Sequence, residues 1–111
     1  MSEPVYKRVL IKISGEALAA KTETGKSFGL DPEMLDRVAE NLKTISDMGV
    51  EIAVVVGGGN FWRGAQNANM DRTRADHIGM LATVMNSLAL ADALEQHSMI
   101  VRVQTAIEMR Q

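Results

Sequence analysis

Ile52-Ala53-Val54-Val55-Val56-Gly57-Gly58-Gly59-Asn60 is the stretch from which the fold can be read. Five apolar, mostly β-branched residues without polar alternation suit a strand of a parallel sheet covered on both faces. The three glycines that follow let backbone N–H groups approach an anion with no Cβ in the way.

Upstream, Val9-Leu10-Ile11-Lys12-Ile13 has the same character and ends at Ser14-Gly15. A polar stretch from Lys21 to Gly29 reads as a loop. Asp31 then offers an N-cap, Pro32 suits the first helical position and Glu33 favours the dipole end. Leu35, Val38, Ala39, Leu42 and Ile45 recur at helical spacing, and Gly49 is the natural stop. Downstream, the spacing predicts a helix over Arg72 to Gln96 with Ile78, Leu81, Val84, Met85 and Leu88 on its apolar face. Met99-Ile100-Val101-Arg102-Val103 reads as a third strand. The order β-α-β-α-β indicates an α/β fold with a parallel sheet and right-handed crossovers. The chain stops at Gln111, soon after that strand, and is expected to be a fragment of a larger sheet.

Composition narrows the function classes. With 111 residues the chain is one domain's worth of sequence. Twelve Lys and Arg against 14 Asp and Glu lack the basic excess of a nucleic-acid binder, and four aromatic residues offer little for base stacking. No cysteine is present, which excludes disulfides and thiolate metal sites in these residues. His77 and His97 are too far apart for a short metal motif, so no metal site is expected. No secretory signal is visible at Met1-Ser2-Glu3-Pro4, and no run approaches the ~20 apolar residues of a membrane span. A cytoplasmic protein is the expectation.

Parallel topology makes a geometric claim about chemistry. The carboxyl ends of the strands share one edge, where open α/β sheets bind ligands. Lys12-Ile13-Ser14-Gly15 and Gly57-Gly58-Gly59-Asn60 both fall there and should face one crevice. Loop amides, a forked Arg63 and the point charge of Lys12 would together cradle phosphate. Plainer readings stand beside this one. The glycines suit a turn, Lys12 an ordinary edge lysine, and Asp76 a surface ion pair with Arg72 four residues earlier. Phe61 and Trp62 suit core or interface anchors better than stacking platforms.

Two look-alikes fail. Ala20-Lys21-Thr22-Glu23-Thr24-Gly25-Lys26-Ser27 approaches a Walker A loop, but that loop joins a strand directly to a helix, and here the strand ends near Ile13. The dinucleotide fingerprint fails because Trp62 stands where its third glycine belongs.

Lys12 to Leu18, Gly57 to Gly64 and Asp76 to Asn86 together resemble bacterial uridylate kinases, the UMP kinases of the amino acid kinase superfamily. The likeness runs from about Tyr6 to Met109, with the motifs in order and correctly spaced. It implies a three-layer sandwich with a mainly parallel sheet, of which residues 1–111 would be the N-terminal, UMP- and phosphate-binding part of one domain. The implied reaction is transfer of the γ-phosphoryl group of ATP to UMP, with Mg²⁺, in pyrimidine nucleotide biosynthesis.

Carried over by motif, Lys12, Ile13, Ser14, Gly15, Gly59 and Arg63 would belong to the ATP site, with Lys12 stabilising the transferring group. Gly57, Gly58 and Asp76 would hold UMP. The resemblance also implies a hexamer with GTP and UTP as effectors, and Asp92 and Arg102 match positions linked to the GTP response. The loop from Ala19 to Phe28 looks longer than in many members, and members are considerably longer overall. The 111 residues alone are therefore expected to be inactive. A non-catalytic nucleotide-binding half-subunit and a family member with another phosphate acceptor remain as alternatives.

Overall fold

The computed structural model describes residues 5–21, 27–62 and 69–105. β1 (Arg8–Ile13) and β4 (Glu51–Val56) form a parallel pair in register Arg8↔Glu51 to Ile13↔Val56. Both strands alternate exposed and partly buried residues. Ile11, Ile13, Ile52, Val54 and Val56 face a core built from the helices. Arg8, Leu10 and Lys12 lie on the opposite face with Glu51, Ala53 and Val55. The continuous apolar runs had suggested cover on both faces. Among the described residues only one face is covered, so two layers of the α/β sandwich are present.

A 3₁₀ turn (Gly15–Leu18) follows β1, with Ser14 as its N-cap, and buries Leu18 completely. β2 (Ala20–Lys21) and β3 (Ser27–Phe28) pair antiparallel, so the flanks of the expected loop form a short ribbon. Ser27 therefore opens a strand rather than a helix, which is incompatible with a Walker A loop.

α1 (Pro32–Asp47) begins as its sequence dictates. The Asp31 carboxylate accepts from the Glu33 N–H at 3.1 Å, and Pro32 occupies the first turn. Ala39 and Leu42 are buried against the sheet and the second helix. Met48 closes the helix and Gly49, at φ +85°, turns the chain into β4. The parallel pairing of β1 and β4 needs a crossover, which α1 supplies.

α2 (Arg72–Gln96) has the bounds its sequence predicted and is capped by Asp71, which accepts from the Arg74 N–H. Its buried face is a correction. Ala75, Ala82, Val84, Asn86, Leu90, Ala91, Ala93 and Leu94 are buried, whereas Leu81, Met85 and Leu88 are 52%, 46% and 47% exposed. The helix is apolar nearly all round, so periodicity alone does not select a side. Small residues do, because alanines let the loop after β4 and helix α1 approach closely. By length and composition α2 is also apolar enough to cross a membrane, contrary to expectation. Its packing is that of a core helix: Leu90, Ala93 and Leu94 complete the cluster around Leu42.

Met99–Val103 is the second correction. The segment alternates partly buried and exposed residues, but it is not hydrogen-bonded into a ladder. Met99 and Val101 pack on the core, while a cleft of about 560 Å³ separates the segment from β4. Leu10, Val54, Leu90, Leu94, Val101 and Arg102 are among its lining residues. Side-chain burial holds the segment near the sheet, and backbone pairing, which defines a strand, is not made. His97 meets Asp36 of α1 at 2.7 Å and ties the end of α2 to α1.

Candidate functional site

The carboxyl ends of β1 and β4 stand side by side because the pair is parallel and in register. The ladder runs one step past the strands, where the Gly57 N–H donates to the Ile13 carbonyl at 3.0 Å. Gly15 and Gly57 are in direct contact: a Cβ on Gly15 would lie 2.9 Å from the Gly57 carbonyl oxygen, and one on Gly57 would lie 3.6 Å from the Gly15 nitrogen. Two glycine loops thus converge on one edge. Among the described residues, the N–H groups of Gly15, Gly58 and Gly59 donate to no protein acceptor. Unpaired backbone donors at the ends of parallel strands are the usual equipment for holding an anion.

The triple-glycine loop is anchored beneath. Phe61 and Trp62 both donate their N–H to the Gly58 carbonyl, at 3.0 and 3.1 Å. Asn60 turns inward and is buried, and so is Asn86 on α2, to which it is hydrogen-bonded. Phe61 meets Phe28 edge to face at 5.9 Å. The Trp62 indole lies near Gly79 of α2, and its Nε1 is buried without an acceptor among the described residues. The aromatic pair and the indole therefore anchor the loop, as their sequence context indicated. Sequence reasoning missed Asn86, although an asparagine among apolar residues of a long helix is a visible signal of a buried polar partner.

The expected site residues fall into groups. Ile13 and Ser14 lead from β1 into the crevice, and the Ser14 hydroxyl is committed to the Glu16 N–H at 3.3 Å. Lys12 lies opposite Val55, is exposed on the sheet face away from the helices, and has no carboxylate partner among the described residues. Gly57, Gly58 and Gly59 form the second loop. Asp76 is exposed on α2, one turn ahead of Gly79, whose carbonyl borders Gly58. The surface ion pair between Arg72 and Asp76 does not form, consistent with the small worth of exposed pairs. Lys12 and Asp76 thus flank the glycine loops from opposite faces of the sheet. Arg63 lies outside the described residues.

Among the described residues, Asp92 and Arg102 do not join this group through any hydrogen bond or ion pair. Asp92 accepts from Gln96 on α2, and Arg102 lines the cleft beside β4. That cleft mixes aliphatic side chains with polar lining along the free edge of β4, away from the glycine loops, so it reads as an unclosed sheet edge rather than as the anion site. Among the described residues no three Asp, Glu, His or Cys side chains gather as metal ligands.

The model of the amino acid kinase family matches residues 7–111. A solved structure of UMP kinase from Bacillus anthracis is similar at 43% identity and a TM-score of 0.73, covering 82% of this chain and 36% of that one. UMP kinase from Ureaplasma parvum is similar at 38% identity and a TM-score of 0.69, covering 84% of this chain and 38% of that one. The chain therefore spans well under half the length of these solved proteins.

Proposed function

Because the chain belongs to the amino acid kinase family, we propose that it forms the phosphate-binding part of a kinase that transfers the γ-phosphoryl group of ATP to UMP. The observation that carries this reading is the convergence of two glycine loops with unpaired amides between Lys12 on one sheet face and Asp76 on the other. Such a layout suits two anionic substrates that must meet at one edge.

The UMP phosphate is already anionic at neutral pH, so its oxygen attacks the γ-phosphorus without a strong general base. The new P–O bond forms as the bond to the β,γ-bridging oxygen breaks, giving UDP and ADP. Catalysis then consists of alignment and charge neutralisation. Lys12 supplies a positive charge on the γ-phosphoryl group, and Ile13, Ser14, Gly15, Gly59 and Arg63 frame the ATP phosphates. Gly57 and Gly58 border the UMP phosphate while Asp76 accepts from its ribose. Mg²⁺ enters as part of the nucleotide substrate, borne by phosphate oxygens.

The same reading makes the protein a cytoplasmic enzyme of pyrimidine nucleotide biosynthesis, with no nucleic-acid or membrane partner. It assembles as a homo-hexamer, and the exposed Leu81, Met85 and Leu88 on α2 suit a subunit contact. GTP and UTP act as effectors, with Asp92 and Arg102 in the GTP response.

The test is acceptor choice. The full-length protein that carries these residues is assayed for ADP release from MgATP with UMP, acetylglutamate or aspartate. Turnover with UMP at least about a hundredfold above the other acceptors is expected, since a site built to hydrogen-bond its substrate discriminates strongly. Preference for either amino acid would replace UMP as the acceptor and leave the family standing.

A further inference from the structure

We propose that Asn60 and Asn86 are positioning residues, a buried carboxamide pair that sets the direction of the loop amides in the phosphate crevice. The inference rests on the phosphoryl-transfer reading and concerns two side chains to which that reading gives no role.

Asn60 is 1% exposed and Asn86 is fully buried. The side chains donate to each other, Asn60 Nδ2 to Asn86 Oδ1 at 3.1 Å and Asn86 Nδ2 to Asn60 Oδ1 at 2.7 Å. The second bond from each Nδ2 goes to a backbone carbonyl. Asn60 donates to Gly29 at 2.7 Å, and Asn86 donates to Gly57 at 2.7 Å. Each NH₂ group thereby uses both of its protons, and each amide oxygen accepts. Gly29 returns a bond, its N–H donating to the Asn60 carbonyl at 3.0 Å. Gly15 closes the unit from the β1 side, since a Cβ there would meet Asn60 Oδ1 at 2.5 Å and Asn86 Nδ2 at 3.0 Å.

An apolar pair of similar volume would fill this space without the desolvation cost of two carboxamides. What the carboxamides add is direction. In a planar trans peptide the C=O and the following N–H point opposite ways, and the described chain has no cis peptide bond. Holding the Gly57 carbonyl toward Asn86 therefore turns the Gly58 N–H away from the pair. That N–H is one of the donors without a protein acceptor. The bond from α2 to Gly57 thus fixes the donor that the crevice presents, and Asn60 fixes Asn86.

The experiment separates direction from filling. In the full-length protein, Asn86→Leu keeps the number and branching of side-chain heavy atoms and removes both donations, Asn86→Ala removes those atoms as well, and Asn60→Leu/Asn86→Leu removes the whole pair. Circular dichroism confirms folding at the assay temperature. Calorimetry measures the affinity for UMP and for uridine, which lacks the phosphate, and UMP phosphorylation is followed in the same preparations. Asn86→Leu is expected to weaken UMP binding about tenfold or more, the scale of a lost hydrogen bond to a charged group, with uridine binding within about twofold of wild type. The double variant should be no worse than the single one, as for residues that act as a unit. A folded Asn86→Leu protein with wild-type UMP affinity, or with equal losses for UMP and uridine, overturns the positioning role. Failure of both Asn86 single variants to fold assigns the pair to stability and overturns it too. A wild type that binds UMP but leaves it unphosphorylated overturns the phosphoryl-transfer reading alone, because the UMP comparison still decides the role of the pair. A wild type that binds no UMP overturns both.

Discussion

Gly58 rests on α2 so closely that a Cβ built on it would lie 2.8 Å from the Cβ of Ala82. The same atom would lie 3.2 Å from the Gly79 carbonyl oxygen and from the Thr83 nitrogen. The middle glycine of the triplet is therefore required by contact with a helix backbone, and its φ lies outside the left-handed region. One turn of α2 serves as the floor of the loop.

Gly58→Ala should destabilise the fold by about 1–3 kcal/mol, the usual cost of forcing a methyl group into a packed contact. Ala82→Gly removes the nearest of the three atoms, so it should recover part of that loss when combined with Gly58→Ala. Recovery will be incomplete, because the helix backbone stays close and a glycine inside a helix costs about 1 kcal/mol. Urea unfolding of the two single variants and the double variant measures the coupling. Simple additivity would show that the loop does not rest on Ala82.

Ser98 offers an increase in stability. It follows the helix cap His97 at φ 64°, a left-handed conformation that glycine adopts without penalty. The Ser98 N–H bonds to the Glu95 carbonyl at 2.9 Å and the Met99 N–H to the Leu94 carbonyl at 3.2 Å, the two bonds of a Schellman ending. Ser98→Gly should keep both bonds and relieve strain, raising stability by roughly 1 kcal/mol. Thermal unfolding should show a midpoint higher by a few degrees. A lower midpoint would mean that the serine side chain contributes more than its backbone strain costs.

What the sequence made legible was whatever is encoded locally. Asp31, Pro32 and Gly49 carry the ends of α1 in their own chemistry, and α1 forms between them. The span of α2 and the meeting of the two glycine loops also follow from pattern and parallel topology. The buried side of α2 was not legible, because a helix apolar on every side contains no period to read. Met99–Val103 has strand composition, but composition cannot supply a ladder partner. The bonds of Asn60 to Asn86 and of Asp36 to His97 join residues far apart in sequence, and only the packed helices bring them together.

The altered face of α2 has a direct consequence for mutations. Leu94 is buried in the cluster with Leu42 and Ala39, whereas Leu88 is nearly half exposed. Leu94→Ala should cost about 2–5 kcal/mol and Leu88→Ala well under half as much. Denaturant midpoints of the two variants under conditions where the protein is monomeric give the comparison. Equal losses would return Leu88 to the core, where its helical spacing with Leu81 first placed it.

Lys12 and Asp76 lie on opposite sides of the glycine edge, and the proposed reaction gives them separable kinetic roles. Lys12 is exposed and without a carboxylate partner among the described residues, so Lys12→Ala should leave the thermal midpoint within about a degree of wild type. Its charge is assigned to the transferring phosphoryl group, where charge develops in the transition state, so kcat should fall about 10²–10³-fold. Asp76 is assigned to the ribose of UMP and not to the reacting atoms. Asp76→Asn should raise the KM for UMP by about tenfold while the KM for ATP changes less than about twofold. Steady-state kinetics of the full-length protein with each substrate varied in turn reads both effects. Unchanged turnover in Lys12→Ala would leave that residue an ordinary lysine at a sheet end. Equal changes in both Michaelis constants for Asp76→Asn would mean that the carboxylate supports the start of α2 rather than a substrate.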